Sequence, residues 1–243
     1  MRVCAFSARN SKELLRDPIS LVFGVGLPVA LLFLMQFIQR STGGVVQIFE
    51  LDRFTPGIAM FSLTFLSMFA AMLVAGDRDN AFLARLFASP MKAGDFLAGY
   101  CLPLLPLGLI QGIICFFASF CLGLKPSLGV LYCLLAMFPA VLLFTSLGLL
   151  MGAVLRYRQV GLIASILVQV AALSSGMWFD LELIGGAFQT VCRALPFARA
   201  LELMQGALRG SFSGGEANLA WTLGYTAVLG TAAVLLFRRS MKN

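Results

Sequence analysis

Residues 55–76 read TPGIAMFSLTFLSMFAAMLVAG, and the three that follow, Asp77-Arg78-Asp79, are all charged. A helix needs about 20 apolar residues to cross roughly 30 Å of hydrocarbon, and this run carries no charge along its whole length. The abrupt change at Asp77 is where such a helix would leave the lipid. The stretch therefore predicts a membrane-spanning helix followed by a polar connection.

The rest of the chain repeats this pattern. Its 243 residues are 60% hydrophobic and 12% charged, with a mean hydropathy of +0.92, a composition typical of proteins that are mostly surrounded by lipid. Six runs lack Asp, Glu, Lys and Arg: 19–38, 55–76, 96–122, 129–153, 161–179 and 219–237. We predict an all-α integral membrane protein, a single transmembrane domain over residues 1–243 with six spans.

The basic residues predict the orientation. Twelve of the 18 fall on one side, in the N-terminal arm, the 77–95 connection, the 156–158 turn and the C-terminal tail, against five of the 11 acids. Cytoplasmic connections carry an excess of Lys and Arg. Both termini are therefore expected in the cytoplasm, with the chain a multi-pass protein of the cell membrane. Because orientation accounts for the net charge of +7, we expect no nucleic-acid partner.

The connections carry further signals. Residues 1–18 mix apolar and basic positions, which favours a helix at the inner interface with its cations toward lipid phosphates over a flexible basic arm. No apolar run within residues 180–218 is long enough to cross the bilayer. This segment therefore predicts short re-entrant helices on the outer side, with breaks at Gly185-Gly186 and Pro196. Glycines four apart, Gly108/Gly112 and Gly148/Gly152, predict close helix contacts.

The chain lacks the residues that several classes of reaction require. The chain has no histidine and no G-x-x-x-x-G-K-[ST] phosphate loop, so we expect no catalytic residue, no metal site and no cofactor bound by this chain. No span carries a carboxylate for a proton relay, which disfavours a carrier or channel driven by an ion gradient. An intramembrane enzyme is the least favoured class of function, because the chain has no histidine and no carboxylate inside a span. If the protein moves a compound uphill, the energy must come from another chain.

The 77–95 connection keeps a helical pattern. Phe82, Leu83, Leu86 and Phe87 recur at helical spacing, whereas Arg78, Asp79 and Arg85 take the other face. Asp79 suits a helix N-terminus, and Ser89-Pro90 ends the pattern. A short amphipathic helix is predicted. Its pattern alone fits a docking helix and a solvated or interfacial turn equally well.

The same segment resembles a family, the permease subunits of type-2 ABC exporters. Asp77-Arg78-Asp79 is similar to the acidic-basic-acidic opening of that family's loop, Leu83 and Leu86 fall at its leucine positions, and Ala88-Ser89-Pro90 matches its end. The resemblance extends over nearly the whole chain. Similar features occur in the same order: Arg16-Asp17-Pro18, Thr55-Pro56-Gly57, Ser175-Gly176 and Leu195-Pro196-Phe197.

The resemblance implies a six-span permease that pairs with a second copy or a similar permease and with two separate ATP-binding subunits, which would bind ATP and Mg. The segment would be a coupling helix held in a cleft of the ATPase, and the N-terminal helix would add a second contact. The coupling residues implied are Asp77, Arg78, Asp79, Phe82, Leu83, Arg85, Leu86, Phe87 and Pro90.

Substrate would then meet the apolar interface between permeases. The polar residues that could line it are Thr64, Gln111, Thr145, Ser165 and Gln169, and each fits a helix-to-helix hydrogen bond equally well. Uncharged spans and 22 phenylalanines favour an apolar passage over a polar-ion pore. Together with the outward transport that the resemblance implies, they predict export of a lipophilic or amphipathic compound, such as a drug or an antimicrobial product. A lipid-linked glycan moved by the same machinery is the alternative.

Overall fold

A computed structural model describes residues 2–43, 49–80, 93–211 and 214–240. These residues form helices joined by short connections, with no strand among them. In chain order the elements are α1 (Arg2–Leu15), α2 (Pro18–Leu21), a π-helical segment (Val22–Gly26), α3 (Leu27–Ser41), α4 (Leu51–Asp79), α5 (Ala93–Leu122), α6 (Leu128–Val154), α7 (Tyr157–Ser174), α8 (Leu181–Ile184), α9 (Gly186–Ala194), α10 (Pro196–Arg209) and α11 (Gly215–Ser240).

Six of these helical stretches are long and apolar enough to cross a membrane, which confirms the predicted all-α, six-span class. They are Val22–Ser41, Leu51–Asp79, Gly94–Leu122, Leu128–Val154, Tyr157–Ser174 and Gly215–Phe237. In lipid every backbone group needs an internal partner, so continuous helices are the expected form. The second stretch continues to Asp79, and the fifth ends at Ser174 instead of Phe179. The chain turns there because Gly176 takes a φ of +78°, which only glycine adopts without strain.

Helix α4 lies at the centre of the bundle. Of its most apolar window 89% is buried, against 11% for α11, and it packs against α3, α5, α6, α7 and α10. Its contact with α6 is made at two glycines. A Cβ added at Gly148 would lie 2.3 Å from the Ser67 carbonyl oxygen, and one at Gly152 would lie 2.8 Å from that of Ala71. The predicted close approach at this pair is confirmed.

The segment between the fifth and sixth spans consists of three short helices, α8 to α10. The chain breaks at Gly185 and at Leu195, directly before Gly186 and Pro196. Arg53, in the first turn of α4, forms an ion pair of 2.8 Å with Asp180, next to α8. This end of the bundle is therefore opposite to the end where α4 finishes at Asp79. We call the latter the Asp77 face.

Candidate functional site: a polar network at the Asp77 face

A buried carboxylate, Asp77, organises the Asp77 face. Its side chain is 3% exposed, and its Oδ2 accepts hydrogen bonds from an Arg9 guanidinium nitrogen at 2.7 Å and from the Tyr100 hydroxyl at 2.8 Å. A carboxylate loses hydration when it is buried, so it needs a cation and donors in return. Asp77 thereby joins three elements: the end of α4, the N-terminal helix α1, and α5.

Arg9 has other partners in α1. It donates to the Asn10 side-chain oxygen at 2.9 Å and forms an ion pair with Glu13, four residues later, at 2.7 Å. Burial by itself would lower the pKa of Arg9, but the hydrogen bond and the charge of Asp77 outweigh it and raise the pKa. Burial raises the pKa of Glu13, against the opposing charge of Arg9. The guanidinium is therefore held in its charged form between two carboxyl groups.

Packing of α1 on α5 brings Arg9 to this position. Phe6 is buried, and its ring meets that of Tyr100 edge-on with centroids 4.9 Å apart. A Cβ at Gly99 would lie 2.3 Å from the Phe6 ring, so only glycine admits the ring there. The Asn10 amide donates to the Gly99 carbonyl at 3.1 Å. An apolar anchor about one turn before Arg9 and a hydrogen bond at the next residue, Asn10, thus fix α1 at this position.

The next two residues of α4 reach the fourth and fifth spans. The Arg78 guanidinium donates to the carbonyls of Ala153 and Leu155, where α6 ends. The Asp79 carboxylate accepts from the backbone N–H of Tyr157 at 3.1 Å, at the start of α7. The last turn of α4 is therefore bonded to α1, α5, α6 and α7 together.

These contacts correct the sequence prediction for the start of the connection. Asp77, Arg78 and Asp79 were expected to begin a separate amphipathic helix, whereas they form the last turn of α4. Partners on four neighbouring elements hold them in that turn. Asp77 is buried within the chain and presents no surface to another protein. The other predicted coupling residues, Phe82, Leu83, Arg85, Leu86, Phe87 and Pro90, lie outside the described residues.

The five candidate passage residues separate into two groups. Thr64, Gln111 and Thr145 are buried inside the chain, at 1%, 0% and 1% exposure, and therefore do not reach its surface. The Thr64 hydroxyl donates to the Phe61 carbonyl. Ser165 and Gln169 are exposed, one turn apart on α7.

Sequence reasoning missed Arg9, Tyr100 and Tyr157 as parts of this site. Arg9 was expected to face lipid phosphates, and it faces Asp77 instead. Two signals pointed to the site: Arg9 and Glu13 stand four residues apart in a helical pattern, and a carboxylate directly after a span requires a partner. Neither signal identifies which helix supplies that partner.

The six apolar helices and the polar network at one end of the bundle define a multi-pass helical membrane protein. The family model of the ABC-2 type transporter matches residues 1–208, from α1 to the end of α10, and the chain belongs to this family. It is therefore a membrane-spanning permease component of an ABC transport system, a class that in general works with a separate ATP-binding subunit. Comparison with curated proteins gave no match.

Proposed function

We propose that the chain is the permease subunit of an ATP-driven exporter that moves lipophilic or amphipathic compounds outward. The family assigns transport. The chemistry of the spans supports the class of cargo, because their charged residues stand near the ends: Arg40, Asp52, Arg53, Asp77, Arg78, Asp79, Asp95, Arg158 and Glu216. A passage between such helices offers an apolar route and no fixed charge at mid-membrane to bind an ion.

The observation that carries this proposal is the bonding of the last turn of α4. Residues 80–90, the remainder of the segment that resembles the coupling loop of type-2 ABC exporters, follow that turn directly. A displacement of the segment by an ATP-binding subunit would pull on Asp77, Arg78 and Asp79. Their hydrogen bonds would pass the movement to α1, α5, α6 and α7 as one unit.

The proposed assembly has two permeases and two ATP-binding subunits, which bind ATP and Mg. The second permease is a further copy of this chain or a similar one. The Asp77 face and both termini lie on the cytoplasmic side, as the distribution of basic residues predicts. The opposite end, with α8 to α10, would narrow the outer mouth of the passage.

The exposed face of α7 is the proposed contribution of this chain to the passage. Leu162, Ile166 and Leu173 are 69%, 56% and 49% exposed, and they recur at helical spacing beside Ser165 and Gln169. In lipid an apolar face of this kind is stable by itself. The two polar groups give the same face hydrogen-bonding sites for an amphipathic compound. We propose that α7 meets the cargo there.

Co-purification and transport test the proposal. The tagged chain is isolated from native membranes, and the ATP-binding subunit that accompanies it is reconstituted with it in liposomes. Uptake of neutral and charged fluorescent lipophilic compounds is then followed with and without ATP. We expect ATP-dependent transport, which Leu86→Asp abolishes by placing a charge on the apolar docking face. Leu183→Asp is the matched control, because Leu183 is 88% exposed in α8 at the opposite end.

Three outcomes contradict the proposal: no ATP-binding subunit accompanies the chain, Leu86→Asp transports as well as Leu183→Asp, or the chain alone transports without ATP. The last result would establish a gradient-driven carrier or channel. Sequencing of the neighbouring reading frames provides an independent check. If the gene of this chain is the one permease gene beside that of the ATP-binding subunit, a homodimer is favoured, whereas a second permease gene favours a heterodimer.

A further inference from the structure

A cavity of about 450 Å³ opens beside the network at the Asp77 face. It lies between α1, α2, α4, α5 and the start of α7. Its inner wall is apolar, with Leu14, Phe69, Met72 and Leu107 among the lining side chains. Pockets for drug-sized ligands have volumes of about 300–1,000 Å³ and mostly apolar walls. This cavity has the volume of such a pocket, and its wall is apolar in part and polar in part.

The mouth of the cavity is polar and carries more acids than bases. Glu13, Asp17 and Asp79 line it, and Arg158 is the cation of the lining among the residues that the structure describes. Arg9, which lies outside the lining, pairs with Glu13. Because Arg9 is also paired with Asp77, the described lining itself holds three carboxylates and one guanidinium group. The mouth therefore has an acidic excess at the end of the molecule where basic residues otherwise predominate.

This combination selects among possible ligands. A lipid phosphate or another anion would lie beside the carboxylates, which repel it. A single inserted Lys or Arg side chain would leave much of the apolar wall uncovered. An organic cation with a large apolar body satisfies both parts, because its charge meets the carboxylates and its body covers the inner wall. Phe69 and Tyr157 also present aromatic rings to the cavity, and such rings attract organic cations.

We propose that this cavity binds a membrane-partitioning organic monocation, as the site where the cargo is first held. The inference rests on the proposed export of lipophilic compounds and narrows the cargo to cationic ones. A ligand there would contact Glu13 of the network and the last turn of α4 at Gly76 and Asp79. It would thus contact the helices that are proposed to transmit the movement of the ATP-binding subunit.

Binding of two ions of matched shape and opposite charge tests the proposal. The full chain is placed in phosphatidylcholine nanodiscs, and saturable binding of radiolabelled tetraphenylphosphonium is measured above that of empty nanodiscs. Tetraphenylborate is the anion of nearly the same size. We expect saturable binding of the cation and none of the anion. Equal saturable binding of both ions would overturn the proposal, because the carboxylates at the mouth would then have no effect on which ion binds.

Variants locate the site. Asp17→Asn and Asp79→Asn should each raise the Kd of the cation about two- to five-fold, the effect of one partly exposed charge pair. Arg158→Gln should lower the Kd, a gain that misfolding cannot produce. Met72→Trp should abolish saturable binding by filling the cavity. Glu216→Gln, an exposed acid at the opposite end, is the matched control and should leave the Kd unchanged.

Two results show that the cation binds elsewhere and overturn the inference: unchanged affinity in Met72→Trp, or the same Kd in Asp79→Asn, Arg158→Gln and the control. Transport in liposomes separates this failure from that of the proposed function. ATP-dependent export of neutral compounds without cation binding would refute only the cavity site. Specific cation binding without ATP-dependent transport would refute only the exporter.

Discussion

The hydrogen bond from Tyr100 to Asp77 allows a prediction with a worked magnitude. Tyr100 is fully buried, so no water can replace its hydroxyl in the Tyr100→Phe variant. A hydrogen bond to a charged group contributes about 1.5–3 kcal/mol. For a chain of this size each kcal/mol shifts Tm by about 2–4 °C. Tyr100→Phe should therefore lower Tm by about 3–12 °C.

Thermal unfolding in detergent can be followed with a thiol-reactive dye. Cys115 and Cys133 are free and buried, and they become reactive when the bundle opens. Tyr157→Phe is the matched control, because the Tyr157 hydroxyl makes no hydrogen bond within the described part of the chain and its side chain is 45% exposed. If Tyr100→Phe lowers Tm no more than Tyr157→Phe does, the network does not stabilise the Asp77 face.

A double-mutant cycle measures the ion pair itself. Asp77 is buried but Arg9 is 38% exposed, so the effect of breaking the pair should be below the 3–5 kcal/mol of a fully buried one. We expect a coupling energy of about 1–2 kcal/mol between Arg9→Gln and Asp77→Asn. Lys12→Gln makes the same charge change on the exposed surface of α1 and should show no coupling to Asp77→Asn. Additive effects of Arg9→Gln and Asp77→Asn would refute the pairing.

Three further changes probe the bundle. The first two use the same dye assay, and the third, at acid pH where thiols do not react with the dye, uses thermal unfolding followed by circular dichroism. Gly148→Ala places a Cβ against the Ser67 carbonyl and should cost about 1–3 kcal/mol by overpacking; an unchanged Tm would show that α4 and α6 separate easily. Gln111→Met should raise Tm, because both polar atoms of this buried amide lack a hydrogen-bond partner among the described residues; a lower Tm would reveal a partner. The hydrogen bond from Arg53 lowers the pKa of Asp180, so the stability that this pair contributes should be present above the ordinary Asp pKa of about 3.9 and lost as pH falls below it. Asp180→Asn should remove that acid dependence, and an unchanged pH profile would contradict the assignment.

Local chemistry was sufficient to predict the spans. An uncharged run such as residues 55–76 has a single low-energy arrangement in lipid, a helix with all its backbone hydrogen bonds inside. Helix contacts at Gly148 and Gly152 followed from the same local reasoning, because only a residue without a side chain permits such an approach. The end of the helix near Asp77 was harder to predict. Charge indicates an exit from lipid, but Asp77, Arg78 and Asp79 remain helical because neighbouring elements supply their partners.

The candidate site could be predicted only in part for the same reason. The sequence places a carboxylate, Asp77, directly after a span and several cations in the N-terminal helix. Arg2, Arg9, Lys12 and Arg16 all stand in that arm, and spacing does not distinguish among them. The choice of Arg9 depends on Phe6, which packs against Gly99 and Tyr100 and sets the register of α1 on α5.

The sequence by itself determined that the chain is mostly surrounded by lipid, that it has six spans, and which family it resembles. These depend on composition, run length and missing residue types, all of which are local or additive along the chain. The tertiary structure decided which polar groups meet: Arg9 and Tyr100 with Asp77, and Glu13, Asp17 and Asp79 around one cavity. These contacts join residues that are far apart in the sequence, such as Arg9 and Asp77, which are separated by 68 positions. The packing of helix on helix selects these partners, because many pairings have the same local chemistry and only one has the geometry.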